Sequence, residues 1–154
     1  MVIFHPMVRQ SLLDLHEHIS NSNDPVSREM DCAIAYGLGM DWVNPEFQSS
    51  WRTHIETRGY AGAWLSDHVF STGGGLVPEF TTSLDVVYHY IEQMLKADGI
   101  VLNRDPSGVG AEVSCWRLSL KRYQFPLGKG YHSCETIALV LALIDALVQR
   151  IDGE

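Results

Sequence analysis

The residues best suited to chemistry lie between Glu112 and Glu135, an interval without any acidic residue. The interval carries both basic and aromatic side chains, a combination that binds phosphate through charge-assisted hydrogen bonds and stacks on a nucleobase. A predicted helix N-terminus follows, where backbone N–H groups favour anions. The candidate ligand-binding residues of this basic segment are Arg117, Lys121, Arg122, Tyr123, Lys129 and Tyr131. The alternative interpretation is a solvated strand face that balances nearby acids.

Three glycines at positions 73–75 also precede a predicted helix and raise the question of a phosphate-binding loop. A P-loop needs the pattern G-x-x-x-x-G-K-[ST], in which the lysine reaches the phosphates. No basic residue lies between Arg58 and Lys96. We therefore expect a flexible loop that leads into a helix.

The other reactive side chains lack a geometry for catalysis or metal binding. The two histidines of 16–18 are two residues apart, so they do not share a helix face, and we expect them at the surface. The Asp-His pair at 67–68 would point to opposite faces of a strand. Cys134 starts a predicted helix near His132, which can activate a thiol, but no orienting acid is evident and a buried, inert cysteine is favoured. The sequence therefore predicts no catalytic residue, metal or cofactor.

Composition excludes several classes of protein. A chain of 154 residues is long enough for one domain with a hydrophobic core. Its formal net charge of −8 argues against long nucleic acids, whose affinity depends on clustered Lys and Arg. The three cysteines form no CxxC pair, which predicts reduced thiols. Neither a leader peptide nor a membrane span is evident, so we expect a cytoplasmic protein without a membrane partner.

Hydrophobic spacing predicts the elements that must position these residues. Helices are predicted over 8–19, from Ser27 to Gly37 or Gly39, over 82–96 and over 134–151, and strands over 99–104 and 112–123. Weaker patterns suggest strands at 62–65 and 68–71, and residues 124–133 are predicted as a loop.

Capping residues and apolar stripes give these helices more detail. Ser27 and Ser133 are predicted N-caps, and Thr82 with Asp85 fits a capping box. The stripe of the 82–96 helix is predicted to consist of Leu84, Val87, Tyr88, Ile91 and Leu95. In the weakly patterned region the aromatic residues Trp51, Tyr60, Trp64 and Phe70 are predicted to be core.

The final predicted helix is apolar on nearly its whole circumference. Such a helix must be buried on both sides, either at the centre of the domain or at a subunit interface. In a chain this small, the excess of apolar surface favours a homo-oligomer.

Three segments carry a resemblance to a known family: "REMDCAIAYGLGMDW" at 28–42, "PEFTTSLDVVYHYIEQML" at 78–95 and "CETIALVLALIDAL" at 134–147. In their order and spacing they resemble the helices of the phage αβα-sandwich domain proteins, small bacteriophage and prophage proteins without an established common activity. The resemblance implies an α+β fold in the form of a three-layer α/β/α sandwich with a mainly antiparallel sheet. It covers most of residues 28–150, so residues 28–154 are predicted to form this domain and residues 1–27 an N-terminal helical extension and linker.

The sequence as a whole predicts a non-catalytic phage or prophage protein of the bacterial host cytoplasm that acts by binding. One hypothesis is that it sequesters a phosphorylated host immune signalling nucleotide, as an anti-defence protein would. The alternative is an accessory or host-inhibitor protein that binds another protein and has no small ligand. An enzyme that uses Cys134 is a third, weaker interpretation.

Overall fold

The computed structural model describes residues 2–44, 49–59, 77–95, 100–104, 114–120 and 125–153. The strands are β1 (Val2–Phe4), β2 (Met40–Asn44), β3 (Ser49–Ser50), β4 (Ile100–Arg104), β5 (Ser114–Leu120) and β6 (Phe125–His132). The helices are α1 (Arg9–Asn21), α2 (Arg28–Gly37), α3 (Trp51–Arg58), α4 (Leu84–Leu95) and α5 (Glu135–Asp152).

The described strands form two antiparallel sheets, with the orders β1–β2–β3 and β4–β5–β6. The predicted α+β class is therefore confirmed. Among the described helices, α5 makes the extensive contacts with the β4–β5–β6 sheet. The three-layer sandwich stays a prediction, because no second helical layer on that sheet is among the described elements.

Helix α5 lies at the centre of the described fold. It packs against β5 and β6 and also against α1 and α4, and residues 137–144 and 146–148 are all buried. The sequence allows either the domain centre or a subunit interface for this helix, and the structure places it at the domain centre. The apolar surface that favoured a homo-oligomer is thus covered within one chain.

The contact between α5 and β6 is a direct approach of two backbones. A Cβ atom at Gly128 would lie 2.6 Å from the carbonyl oxygen of Ala142, and one at Gly130 would overlap the carbonyl oxygen of Ala138. Only glycines on the strand allow this separation, and alanines supply the facing helix surface. The predicted loop over 124–133 is wrong for this reason. The Gly-Lys-Gly sequence resembles a loop but marks a strand that a helix backbone approaches closely.

The opening helices agree with their sequence patterns. Helix α1 buries Leu12, Leu15 and Ile19. In α2 the hydroxyl oxygen of Ser27 accepts a hydrogen bond from the backbone N–H of Met30 at 3.0 Å, which confirms the predicted cap. Strand β1 pairs with β2, and α1 packs on α5, so the first 27 residues contact the rest of the fold.

The side chain that caps helix α4 lies one residue later than its sequence pattern indicates. The predicted capping box of Thr82 and Asp85 is wrong, because the hydroxyl of Ser83 accepts the N–H of Val86 at 3.3 Å. The predicted stripe also includes Tyr88, which is exposed. Tyr90 is partly buried instead, with its ring centroid 5.1 Å from that of Phe80.

The region after β2 holds elements that the sequence analysis misses. Strand β3 and helix α3 lie there, and the hydroxyl of Ser50 accepts the N–H of Thr53 at the start of α3. Trp51 is buried and meets Trp42 edge to face at 4.9 Å, so its predicted place in the core is confirmed. The predictions for Tyr60, Trp64, Phe70, the glycines at 73–75, the Asp-His pair at 67–68 and the strands at 62–65 and 68–71 fall outside the described residues.

Candidate functional site

The structure describes half of the predicted basic site. Lys121, Arg122 and Tyr123 lie outside the described residues. Arg117 of β5 is the direct register partner of Lys129 of β6, and Cys115 is the partner of Tyr131. Side chains alternate along a strand, and Gly128 and Gly130 face α5, so positions 129 and 131 belong to the opposite face of the sheet. The register therefore places positions 117, 129 and 131 on one face, with Tyr131 43% exposed.

The backbone of Lys129 also joins the edge of this sheet to α5. Its backbone N–H donates to the Asp145 carboxylate of α5 at 2.8 Å, and that carboxylate accepts a second bond from the Gln149 amide at 2.9 Å. Asp145 is the acidic residue within the apolar part of α5. Its role in the structure is to satisfy a backbone donor of an edge strand.

The start of α5 is a weaker anion site than the sequence suggests. The N-cap is Cys134 and not the predicted Ser133, and it provides no side-chain cap. The backbone N–H of Cys134 donates to Nδ1 of His132 at 2.9 Å, and burial lowers the pKa of His132. Glu135 already places a carboxylate in the first turn, where it complements the helix dipole.

A pocket of about 380 Å³ lies elsewhere, where the end of β1 meets the C-terminal halves of α4 and α5. It is lined by Phe4, His5, Met7, Leu38, Gln93, Met94, Leu147, Arg150 and Ile151. Six of these nine residues are apolar and none is acidic. The volume and the lining are those of a site for a small molecule.

Arg150 is held at the pocket wall by the end of a helix. Its Nη1 donates to the carbonyl oxygens of Met94 and Leu95, at 3.1 and 3.2 Å. These are terminal carbonyls of α4, which lack partners within the helix and carry its negative dipole end. No carboxylate of the described residues forms an ion pair with Arg150. Its positive charge is therefore not neutralised by an acid in the described structure.

His5 is placed in the pocket by the turn between α2 and β2. Its backbone N–H donates to the carbonyl oxygen of Gly39 at 2.7 Å. Gly39 has a φ of +83°, and a Cβ atom there would overlap the carbonyl oxygen of His5. The positive φ and the close approach of the His5 carbonyl oxygen both require glycine at position 39. The turn thus fixes the backbone of His5 beside β2.

The ring of His5 is oriented by a buried carboxylate. Nε2 lies 3.1 Å from Oδ2 of Asp41 on β2, and the His5 side chain is 45% exposed whereas Asp41 is buried. Asp41 also accepts hydrogen bonds from the hydroxyl of Ser50, at 2.9 Å, and from the backbone N–H of Arg52, at 3.1 Å. A fully bonded carboxylate of this kind holds the imidazole in one orientation.

The side chains of His5, Asp41 and Ser50 do not form a nucleophilic triad. Such a triad requires a hydroxyl bonded to the imidazole. Here the hydroxyl of Ser50 donates to the carboxylate of Asp41 and not to His5. Asp41 instead orients the imidazole of His5, a polar ring that can become positively charged, at the wall of an apolar pocket.

No protein-family model, curated protein or solved structure matches this chain. The likeness to the phage αβα-sandwich proteins therefore stays a prediction. Within the described residues, no helix is long and apolar enough to cross a membrane. No group of three His, Cys, Asp or Glu side chains in the same residues could hold a metal ion. Of the two histidines expected at the surface of α1, His18 is exposed and His16 is half-buried.

The sequence analysis misses this pocket because its polar residues come from distant parts of the chain. His5 and Asp41 are 36 residues apart, and Arg150 bonds to a carbonyl 56 residues away. One local signal is present. Arg150 follows a long apolar stretch at the end of the final helix, where a basic residue complements the dipole.

Proposed function

We propose that the chain acts by binding, without catalysis, a small molecule that has an apolar body and an anionic group. The pocket at His5 and Arg150 is the proposed site. The observation that carries this proposal is the composition of the described lining: two side chains able to bear positive charge, one amide and six apolar residues, with no acid among these nine, in a chain of net charge −8. A local positive site is what an acidic protein needs in order to bind an anion.

The lining also favours binding over covalent chemistry. Among the nine described residues that line the pocket there is no hydroxyl, thiol or carboxylate to serve as a nucleophile. Phe4 is exposed at the wall and provides an aromatic surface for a planar group. A phosphorylated nucleotide has both features, an aromatic base and an anionic group. The sequestration of a host signalling nucleotide by a phage protein is the form of this proposal that the sequence suggested.

The test is a thermal-shift screen with adenosine monophosphate, cyclic di- and trinucleotides and ADP-ribose, followed by calorimetry on each ligand that stabilises the protein. Binding to the folded state raises stability by about 2.7 kcal/mol at a hundredfold excess over the Kd. The variant is Arg150→Gln, which should weaken binding roughly tenfold to a hundredfold, as the loss of a charged hydrogen bond does.

The matched control is Arg9→Gln. Arg9 pairs with Asp152 at 2.6 Å on the surface and is not among the pocket residues. Like Arg150→Gln, the substitution Arg9→Gln removes one positive charge near the C-terminal end of α5. It should leave the Kd for the ligand unchanged. Equal loss of affinity in both variants, or binding that is insensitive to Arg150→Gln, contradicts the proposal.

The alternative function, binding to another protein, is favoured by one observation. Tyr131 is exposed on the sheet face opposite α5, next to Lys129 and the register position of Arg117. Tyrosine and arginine are enriched at protein interfaces. A homo-oligomer would be one form of this alternative, and light scattering at micromolar concentration tests it.

A further inference from the structure

The hydrogen bond to Asp41 determines which nitrogen of His5 carries a proton. An ionised carboxylate only accepts hydrogen bonds, so a neutral His5 ring must keep its proton on Nε2, the atom that faces Asp41. Nδ1 then carries a lone pair. A lone pair at the wall of the pocket repels an anion.

Protonation of the His5 ring changes Nδ1 from a hydrogen-bond acceptor into a hydrogen-bond donor. The ring is then positively charged, and Nε2 keeps its hydrogen bond to the Asp41 carboxylate. No described residue forms a hydrogen bond with Nδ1, the His5 side chain is nearly half exposed, and His5 is one of the residues that line the pocket. The new donor is therefore available to a ligand.

Among the described residues, the ionisable groups that contact His5 or share its pocket are Asp41 of β2 and Arg150 of α5. Arg52 contacts Asp41 through its backbone N–H, and its guanidinium is engaged with the carbonyl oxygens of Tyr36 and Met40 and with the ring of Tyr36. Asp41 is buried and shared among three donor residues, so the charge that a ligand meets is that of Arg150 and of the protonated ring.

We propose that His5 is a second, proton-dependent contact for the anionic group of the ligand. The inference rests on the proposed function. It adds that affinity for an anion is higher when the His5 ring is protonated than when it is neutral, whereas affinity for a neutral ligand of the same shape is the same in both states.

The probes are naphthalene-1-sulfonate, whose charge is constant over this range, and the neutral 1-naphthol. Each is titrated into the wild-type protein at about pH 8 and about pH 5.5, the limits between which histidine changes charge. For the sulfonate we expect a Kd roughly tenfold lower at the acidic pH, the effect of one charge-assisted contact. For 1-naphthol we expect the same Kd at both values.

The variant His5→Gln keeps a donor toward Asp41 but cannot become charged. We expect its Kd for the sulfonate to be the same at about pH 8 and at about pH 5.5, without the gain that the wild type shows at the acidic value. The control is His18→Gln, an exposed histidine of α1 away from the pocket, which should keep the full gain. Arg150→Gln should weaken sulfonate binding at both values.

Two outcomes overturn the inference alone: a wild-type Kd for the sulfonate that does not depend on pH, or a His5→Gln variant that keeps the gain. In both cases the loss of binding in Arg150→Gln would leave the proposed function standing. A wild-type protein that does not bind the sulfonate at either pH overturns both proposals.

Discussion

Gly130 of β6 lies so close to Ala138 of α5 that a Cβ atom at position 130 would overlap the Ala138 carbonyl oxygen. Both residues belong to regular elements. Strand β6 is paired with β5, and α5 is buried at residues 137–144 and 146–148. Neither can move without loss of its own hydrogen bonds or packing. The separation of α5 from its sheet is therefore set by the glycines of β6.

The substitution Gly130→Ala should destabilise the fold by about 3 kcal/mol, at the upper end of the cost of overpacking. Urea denaturation measures it as a lower midpoint. The control is Gly153→Ala, where a Cβ atom would meet its nearest neighbour at an ordinary 3.4 Å. Equal midpoints for the two variants would contradict the close approach of strand and helix.

The position of α5 also gives a prediction for Leu143. Its side chain is fully buried within the chain, and an unpaired carboxylate there has no compensating partner. Leu143→Glu should therefore unfold the protein, seen as loss of the helical circular dichroism signal, while Leu143→Met should fold because it conserves volume. A Leu143→Glu protein that stays folded but becomes smaller by light scattering would place this face at a subunit interface.

Local signals in the sequence were sufficient for much of the fold. The stripes of α1 and α2, the cap at Ser27 and the strands at β4 and β5 are each determined by neighbours in the chain, and these predictions agree with the structure. Strand β6 could not be predicted in the same way. Its glycines are explained by a helix backbone that lies against them, and a tertiary contact of this kind has no local sign.

The candidate site depends even more on tertiary contacts that local sequence patterns do not reveal. The basic segment is visible in the sequence because its charges are neighbours along the chain. The pocket is not, because His5 and Arg150 come to line one pocket only when β1 pairs with β2 and α5 packs on α4. Tyr88 and Tyr90 are a smaller example: both fit a helix pattern, and packing against Phe80 decides which one is partly buried.

The buried thiol of Cys32 predicts a loss of stability in alkali. Burial raises its pKa to about 12, from 9.0 for an exposed thiol. The folded state thus keeps a proton that the unfolded state releases, so the free energy of unfolding falls as the pH rises from 9 toward 12. Burial raises the pKa of Tyr90 as well, which acts in the same direction.

Chemical denaturation at a series of alkaline pH values measures this slope. Cys32→Ala should reduce it, and Cys134→Ser, at a partly exposed cysteine, should leave it as in the wild type. An unchanged slope in Cys32→Ala would mean that the Cys32 thiol ionises equally in the folded and unfolded states.

The central claim is that a small anionic ligand binds between the end of β1 and the C-terminal halves of α4 and α5. The most direct measurement is the NMR spectrum of protein labelled at its methionine methyl groups, titrated with naphthalene-1-sulfonate. Met7 and Met94 line the pocket, whereas Met30 and Met40 are buried in the core outside it. We expect saturable shifts of the Met7 and Met94 signals while those of Met30 and Met40 stay in place. Unmoved Met7 and Met94 signals, at a ligand concentration that saturates binding measured by calorimetry, would contradict the claim.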